Sequence, residues 1–429
     1  MNTTRRIQRI YYVLVSLFWL SVAFPMALMV LLGQARGLTL FHVGVLSGVY
    51  SLTIVLLEVP TGGLADAIGR KVVTVIAYSC LTLASLVTLF AFSFPVFLLA
   101  FILNGVGRAL ASGALDAWFI DALQAVDPDI DLQPPLARAG TFTLLSLGVG
   151  TLCGSLLPYA FADLPADGTA VLTPLAMPVV FDIATKVVLL LLTLAWVKED
   201  RAAVRRSDWA QGVREVPAII RTGFDLSRKN PTILLLLGAS LASGFALVSL
   251  ESFWQPHFAA LLGGSTGNSL AFGIVMGGNF LVGMVGNLLA TLLSRLLNKR
   301  YGLVCAIFQG VWGMMIIVLA LQTRVPLAVL FFWLAYLNLG ILDSPQRTLL
   351  NREIPAAHRS AMLSIASLAS YVGGMLGGTG LGYVAEHVSI NTAWIISGAV
   401  LVVSLGLYWQ VDSRESRQRL HLAACLDKN

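Results

Sequence analysis

Gly62-Gly63-Leu64-Ala65-Asp66-Ala67-Ile68-Gly69-Arg70-Lys71 is a charged turn set between two long apolar runs, near 38 to 62 and 72 to 92. Gly62 and Gly69 permit close approach and a tight turn. Asp66 can accept hydrogen bonds from a helix N-terminus, and Arg70 and Lys71 can pair with carboxylates or lipid phosphates. The apolar runs on either side are the first sign of what the chain is. Ten more of similar length occur, near 10 to 32, 95 to 123, 139 to 161, 176 to 197, 232 to 254, 269 to 293, 301 to 321, 326 to 346, 361 to 384 and 389 to 410. A bilayer hydrocarbon layer about 30 Å thick needs ~20 apolar residues per helix. The runs are too long and too uniformly apolar for the alternating segments of a membrane barrel, so they predict twelve transmembrane helices and an all-α membrane protein.

Composition excludes a water-soluble core: mean hydropathy is +0.82, 57% of residues are hydrophobic and 12% are charged, where soluble domains carry roughly 25% charged. Charge also orients the chain. With all twelve runs spanning, 24 of the 28 Lys and Arg residues fall on one side and two, Arg36 and Arg324, on the other. Positive charge in short loops stays cytoplasmic, so both termini are expected inside. Arg5, Arg6 and Arg9 then flank a retained first helix rather than a cleaved signal. The net charge of +6 is accounted for by topology and anionic membrane lipid, which leaves no call for nucleic acid. Cys80, Cys153, Cys305 and Cys425 lack metal-ligand spacing, and neither a metal, a disulfide nor a cofactor is expected.

The longest polar stretch, Lys198 to Pro231, holds eight basic and five acidic residues. It divides the chain into a six-helix half at 1–197, a cytoplasmic linker at 198–231, a second six-helix half at 232–411 and a cytoplasmic tail at 412–429. Ile219, Ile220 and Phe224 recur at helical spacing within the linker and suggest a short surface helix over Ala218 to Leu226. The turn after the eighth run, Arg295-Leu-Leu-Asn298-Lys299-Arg300, repeats the spacing and basic pair of Asp66-Ala-Ile-Gly69-Arg70-Lys71 one half later. Two parallel six-helix repeats with a midplane site at their interface are a transporter construction.

The segment Glu58-Val-Pro60-Thr61 through Lys71 resembles the signature loop of the major facilitator superfamily, Gly-x-Leu-Ala-Asp-x-x-Gly-Arg-Lys between the second and third helices. It matches at every defining position, and the twelve-span layout extends the resemblance over essentially the whole chain. The resemblance implies a conformational latch: Gly62, Leu64, Asp66, Gly69, Arg70 and Lys71 form the loop, and Asp66 and Arg70 hold the outward-facing state against the opposite half and a carboxylate on span four. Asp121 is the candidate for that carboxylate. Span four also partly resembles the Arg-x-x-Gln-Gly motif of antiporters through Arg108, with the glycine one residue late and the glutamine absent. Span five partly resembles an antiporter signature through Gly150 and Gly154, with Ser155 in the proline position.

Ionisable residues at helix centres cost roughly 2.5–3.5 kcal/mol each on insertion scales, so each is a functional hypothesis. Asn104, Arg108 and Ser112 share one face of span four at i, i+4 spacing. Asp116 lies two turns below Arg108 and is the better proton carrier, against a structural reading as an interhelical ion pair. Asp182 and Lys186 on span six stand at i, i+4 and either neutralise one another or couple to protons. Glu251 in span seven reads as a gate or an interfacial residue, and Asp343 with Arg347 as a local ion pair. Candidate cavity residues at mid-depth are Trp19, Phe24, Tyr50, Asn104, Phe245, Asn279, Tyr336, Asn338 and Tyr371, each with ordinary helix packing as its plain alternative. Aromatics and amides outnumber charges among them, which suits a lipophilic or moderately polar solute.

The expected function is secondary active transport by alternating access: proton-coupled export of small amphipathic or drug-like molecules, with proton-coupled import of a small nutrient as the alternative. No P-loop, His-Glu-x-x-His or Gly-x-Ser-x-Gly supports an enzyme. A monomer in a bacterial plasma (inner) membrane, handling a small-molecule substrate and protons among membrane lipids, completes the expectation.

Overall fold

Helix is the form in which an apolar run satisfies its own backbone, and the computed structural model is helical throughout. It describes residues 3–166, 168–199, 230–264, 267–353 and 359–426, with backbone alone at 58–63, 66–67, 359–364 and 417–426. The expected linker and its short helix therefore lie almost wholly outside the described residues. Fourteen α-helices occur among them: α1 Thr3–Met26, α2 Met29–Ala35, α3 Leu40–Ile68, α4 Arg70–Leu89, α5 Phe94–Ala111, α6 Ala114–Gln124, α7 Gln133–Ala160 and α8 Met177–Trp196 in the first part. The second part holds α9 Pro231–Leu262, α10 Ser269–Leu296, α11 Tyr301–Ala320, α12 Val325–Glu353, α13 Arg359–His387 and α14 Ile390–Leu426. Eleven stretches are long and apolar enough to cross a membrane; they take α5 and α6 as one and do not include α13.

Two expected single spans are broken helices. The first run stops at Met26, one residue after Pro25, whose ring removes an N–H from the ladder, and restarts as α2. Span four is interrupted at Ser112–Gly113, where Gly113 takes a left-handed φ of 78°. Arg36, just beyond α2, is buried and donates to the carbonyls of Thr88, Ala91 and Val171 at 2.9, 3.1 and 3.0 Å. It fastens the α2–α3 turn to the end of α4, and burial pulls its guanidinium below the usual arginine value.

The chain divides into two compact units, Met1–Val216 with Gln255–Phe280, and Pro217–Trp254 with Leu281–Asn429. The segment Gln255–Phe280 groups with the first unit for local reasons. The Gln255 carboxamide donates to the Met26 carbonyl and accepts from the Val30 N–H, each at 3.0 Å, and so satisfies both sides of the α1–α2 break. Gly273 lies against Ser155 and Thr151.

Helix association in lipid relies on close packing through small residues, and the two units use the same crossings. In the first, Gly150 and Gly154 of α7 meet α1 at Leu20, Ala23 and Phe24, while Gly105 of α5 meets α3 at Tyr50 and Thr53. In the second, Gly373 and Gly377 of α13 meet α9 at Leu241 and Phe245, and Gly340 of α12 meets α10 at Gly283. Fifth-on-first and fourth-on-second contacts thus recur within each unit.

Candidate functional site

The first unit contains a cavity of about 390 Å³ bounded by α1, α2, α3, α4, α5 and α8. Of the sequence candidates, Trp19, Tyr50, Asn104 and Arg108 line it together. Asp182 and Lys186 line it as well. Asn104 and Arg108 share a face of α5 because they are one turn apart.

Arg108 is held by rings. Its guanidinium carbon lies 5.0 Å from the Trp19 ring centroid and 5.9 Å from that of Phe18, within the range of cation–π attraction. Asp116 sits elsewhere. It occupies the first turn of α6, just past the Gly113 break, where helix N–H groups converge. Its Oδ1 accepts a hydrogen bond from the Tyr11 hydroxyl at 2.6 Å, and the Tyr11 ring stacks on Phe119 of the same short helix at 3.8 Å between centroids. Asp116 is thus tied to α1 through a phenol.

The span-six pair forms and acquires a third member. Lys186 Nζ is 2.8 Å from Asp182 Oδ2, and Ser85 Oγ on α4 lies 2.6 Å from the same oxygen and 2.7 Å from Nζ. Asp182 and Lys186 are only 2% and 5% exposed. Asp182 Oδ1 is sealed within the helix packing, and the Ser21 hydroxyl of α1 is a further hydrogen-bonding neighbour of this carboxylate. Ser85 was not singled out in the sequence, where it is one hydroxyl in an apolar run and its pairing across two helices leaves no local mark.

At the α3–α4 turn, Arg70 Nη1 lies 2.6 Å from Asp121 Oδ2. Lys71 Nζ donates to the Leu194 carbonyl at 2.9 Å. The carboxylate at the α4 N-terminus is Glu199, which accepts the Arg70 and Lys71 N–H groups at 2.8 and 3.0 Å. The Asp66 side chain, assigned that acceptor role from sequence, lies outside the described ones, as do those of 58–63; Leu64 packs on the first-unit core. Gly69 turns at φ 101°.

The remaining candidates do not join the cavity. Phe24 is buried on α1, facing Phe181 at 6.0 Å. Asn279 is buried on α10 within the first unit. In the second unit, Asn338 is buried and donates back to the Leu334 carbonyl at 2.7 Å, and Tyr336 packs against Phe332 at 5.0 Å. Phe245 lends its carbonyl to the Gly377 crossing, Tyr371 is half-buried on α13, and Glu251 is exposed on α9. Asp343 and Arg347 pair at 2.9 Å on α12.

A family model described as the Major Facilitator Superfamily matches residues 11–378. The crystal structure of the nucleoside transporter NupG superimposes with a TM-score of 0.74 at 16% identity, over 96% of this chain and 99% of that one. A bacterial homologue of the human lysosomal transporter Spinster, in an inward-facing and unoccupied conformation, gives 0.71 at 14% identity, over 96% and 98%. A POT family transporter in complex with a thioalcohol-conjugated peptide gives 0.68 at 12% identity, over 95% and 96%. At such identities the likeness is one of fold. No curated protein matches the chain.

Proposed function

This chain belongs to the Major Facilitator Superfamily and is a transporter of small molecules across a membrane, and we propose that it works as a proton-coupled exporter of small amphipathic molecules by alternating access. The proposal takes twelve spans, with α13 as the eleventh, two six-helix halves joined by the 198–231 linker, and both termini cytoplasmic. It places the monomer in a bacterial plasma membrane. The observation that supports proton coupling best is Asp116, seated at the break between α5 and α6 and tied to α1 through Tyr11.

The tie gives the proton a mechanical effect. A charge-assisted hydrogen bond is roughly twice as strong as a neutral one, so protonation of Asp116 weakens its hold on Tyr11 and loosens α1 from α6. Return of the proton to the other side restores the contact. Arg70 with Asp121, together with the Glu199 cap, serves as the latch of the α3–α4 turn in one end state.

The test uses the purified chain in liposomes enclosing a pH-sensitive dye, with an imposed proton gradient and a panel of amphipathic solutes. Proton movement opposite to solute flux is expected, and Asp116→Asn should abolish it while equilibrium solute exchange persists. Gradient-driven transport preserved in that variant removes Asp116 from the mechanism. Proton movement in the same direction as solute establishes import instead.

A further inference from the structure

The cavity of the first unit reaches α4 and α8, the third and sixth spans, as well as α1, α2, α3 and α5. Three charged side chains line it: Arg108, Asp182 and Lys186. Two of them cancel, since Lys186 lies 2.8 Å from Asp182 with Ser85 joined to both. Arg108 has no carboxylate partner among the described residues and is faced by Trp19 and Phe18 instead. The lining thus carries one uncompensated positive charge. A guanidinium offers planar, forked donors that match a carboxylate-type group in two parallel hydrogen bonds. Trp19, Phe18 and Tyr50 supply broad apolar surface beside it.

We propose that this cavity binds an amphipathic organic monoanion, its carboxylate-type group on Arg108 and its flat apolar body along Trp19, Phe18 and Tyr50. The inference rests on the transport reading above and narrows its substrate class. A cation meets the excess charge of Arg108, and a dianion or dicarboxylate lacks a second free cation and meets Asp182. The volume of about 390 Å³ falls within the range of roughly 300–1,000 Å³ typical of small-molecule sites.

The test compares one ring system in three charge states, naphthoate, naphthamide and naphthylmethylamine, by calorimetric binding to the purified full chain and by counterflow in liposomes. Naphthoate is expected to bind roughly tenfold or more tighter than the other two, the worth of a charge-assisted hydrogen bond. Arg108→Gln should erase that preference, and Arg108→Lys, which keeps the charge and packing stem, should retain part of it. Equal or tighter binding of the amide or amine, no binding of any probe to folded protein, or an anion preference that survives Arg108→Gln overturns the inference. Saturable counterflow without anion preference leaves transport standing and the anion class refuted; anion-selective binding with no counterflow does the reverse.

Discussion

Gly69 shows how tightly a single position can be specified. Its φ of 101° lies where side chains are strained, and a Cβ there would sit 2.8 Å from Glu199 Oε2, the atom that accepts the Lys71 N–H. Gly69→Ala therefore forces strain and disturbs the cap together, with an expected loss of about 1–3 kcal/mol, read as a lower unfolding midpoint in detergent. An unchanged midpoint would mean that the turn relaxes freely. Lys186 poses a different problem, because its removal leaves the Asp182 carboxylate buried and unpaired. Lys186→Met should cost about 3–5 kcal/mol, and the double change Asp182→Leu with Lys186→Met should recover most of it, a cycle that thermal unfolding resolves. The residues of the turn itself were legible, since Gly69, Arg70 and Lys71 are adjacent. Glu199 was not, because its partners lie more than a hundred residues earlier and nothing near it signals an acceptor for a distant helix.

Helices were legible as elements because apolar length alone implies a span, yet breaks within spans were not. Gly113 sits in an apolar run, and glycine is common in membrane helices, so its presence gives no warning that α5 ends and α6 begins there. The α1–α2 break near Pro25 had a plainer signal, but its satisfaction by Gln255 had none. The same limit applies to the glycine-rich fifth span. Gly150 and Gly154 press against α1, whereas a Cβ on Gly148 would meet nothing within 4 Å, a difference set by which face turns inward. Gly154→Val should block the α1–α7 crossing and sharply reduce the yield of monodisperse protein, while Gly148→Val should leave yield and midpoint unchanged. Size-exclusion profiles of the two variants check this, and equal profiles would mean that the crossing tolerates bulk.

Transport by the whole chain has an electrical signature that follows from the charge moved per cycle. Exporting one monoanion against one entering proton moves the equivalent of two positive charges inward. Importing a monoanion with one proton moves none. Each charge is worth about 2.3 kcal/mol per 100 mV, so an inside-negative potential of about 100 mV adds about 4.6 kcal/mol to antiport export and nothing to symport. The positive excess contributed by Arg108 thus makes direction measurable without knowledge of the natural substrate. In liposomes holding labelled naphthoate, with the pH gradient fixed and the potential set by valinomycin and potassium, efflux by the proposed exporter should rise steeply as the interior becomes more negative. Asp116→Asn, left with equilibrium exchange alone, should show no net efflux at any potential. A wild-type flux indifferent to potential but dependent on the proton gradient identifies electroneutral import, and with it a cavity that gathers acids from outside.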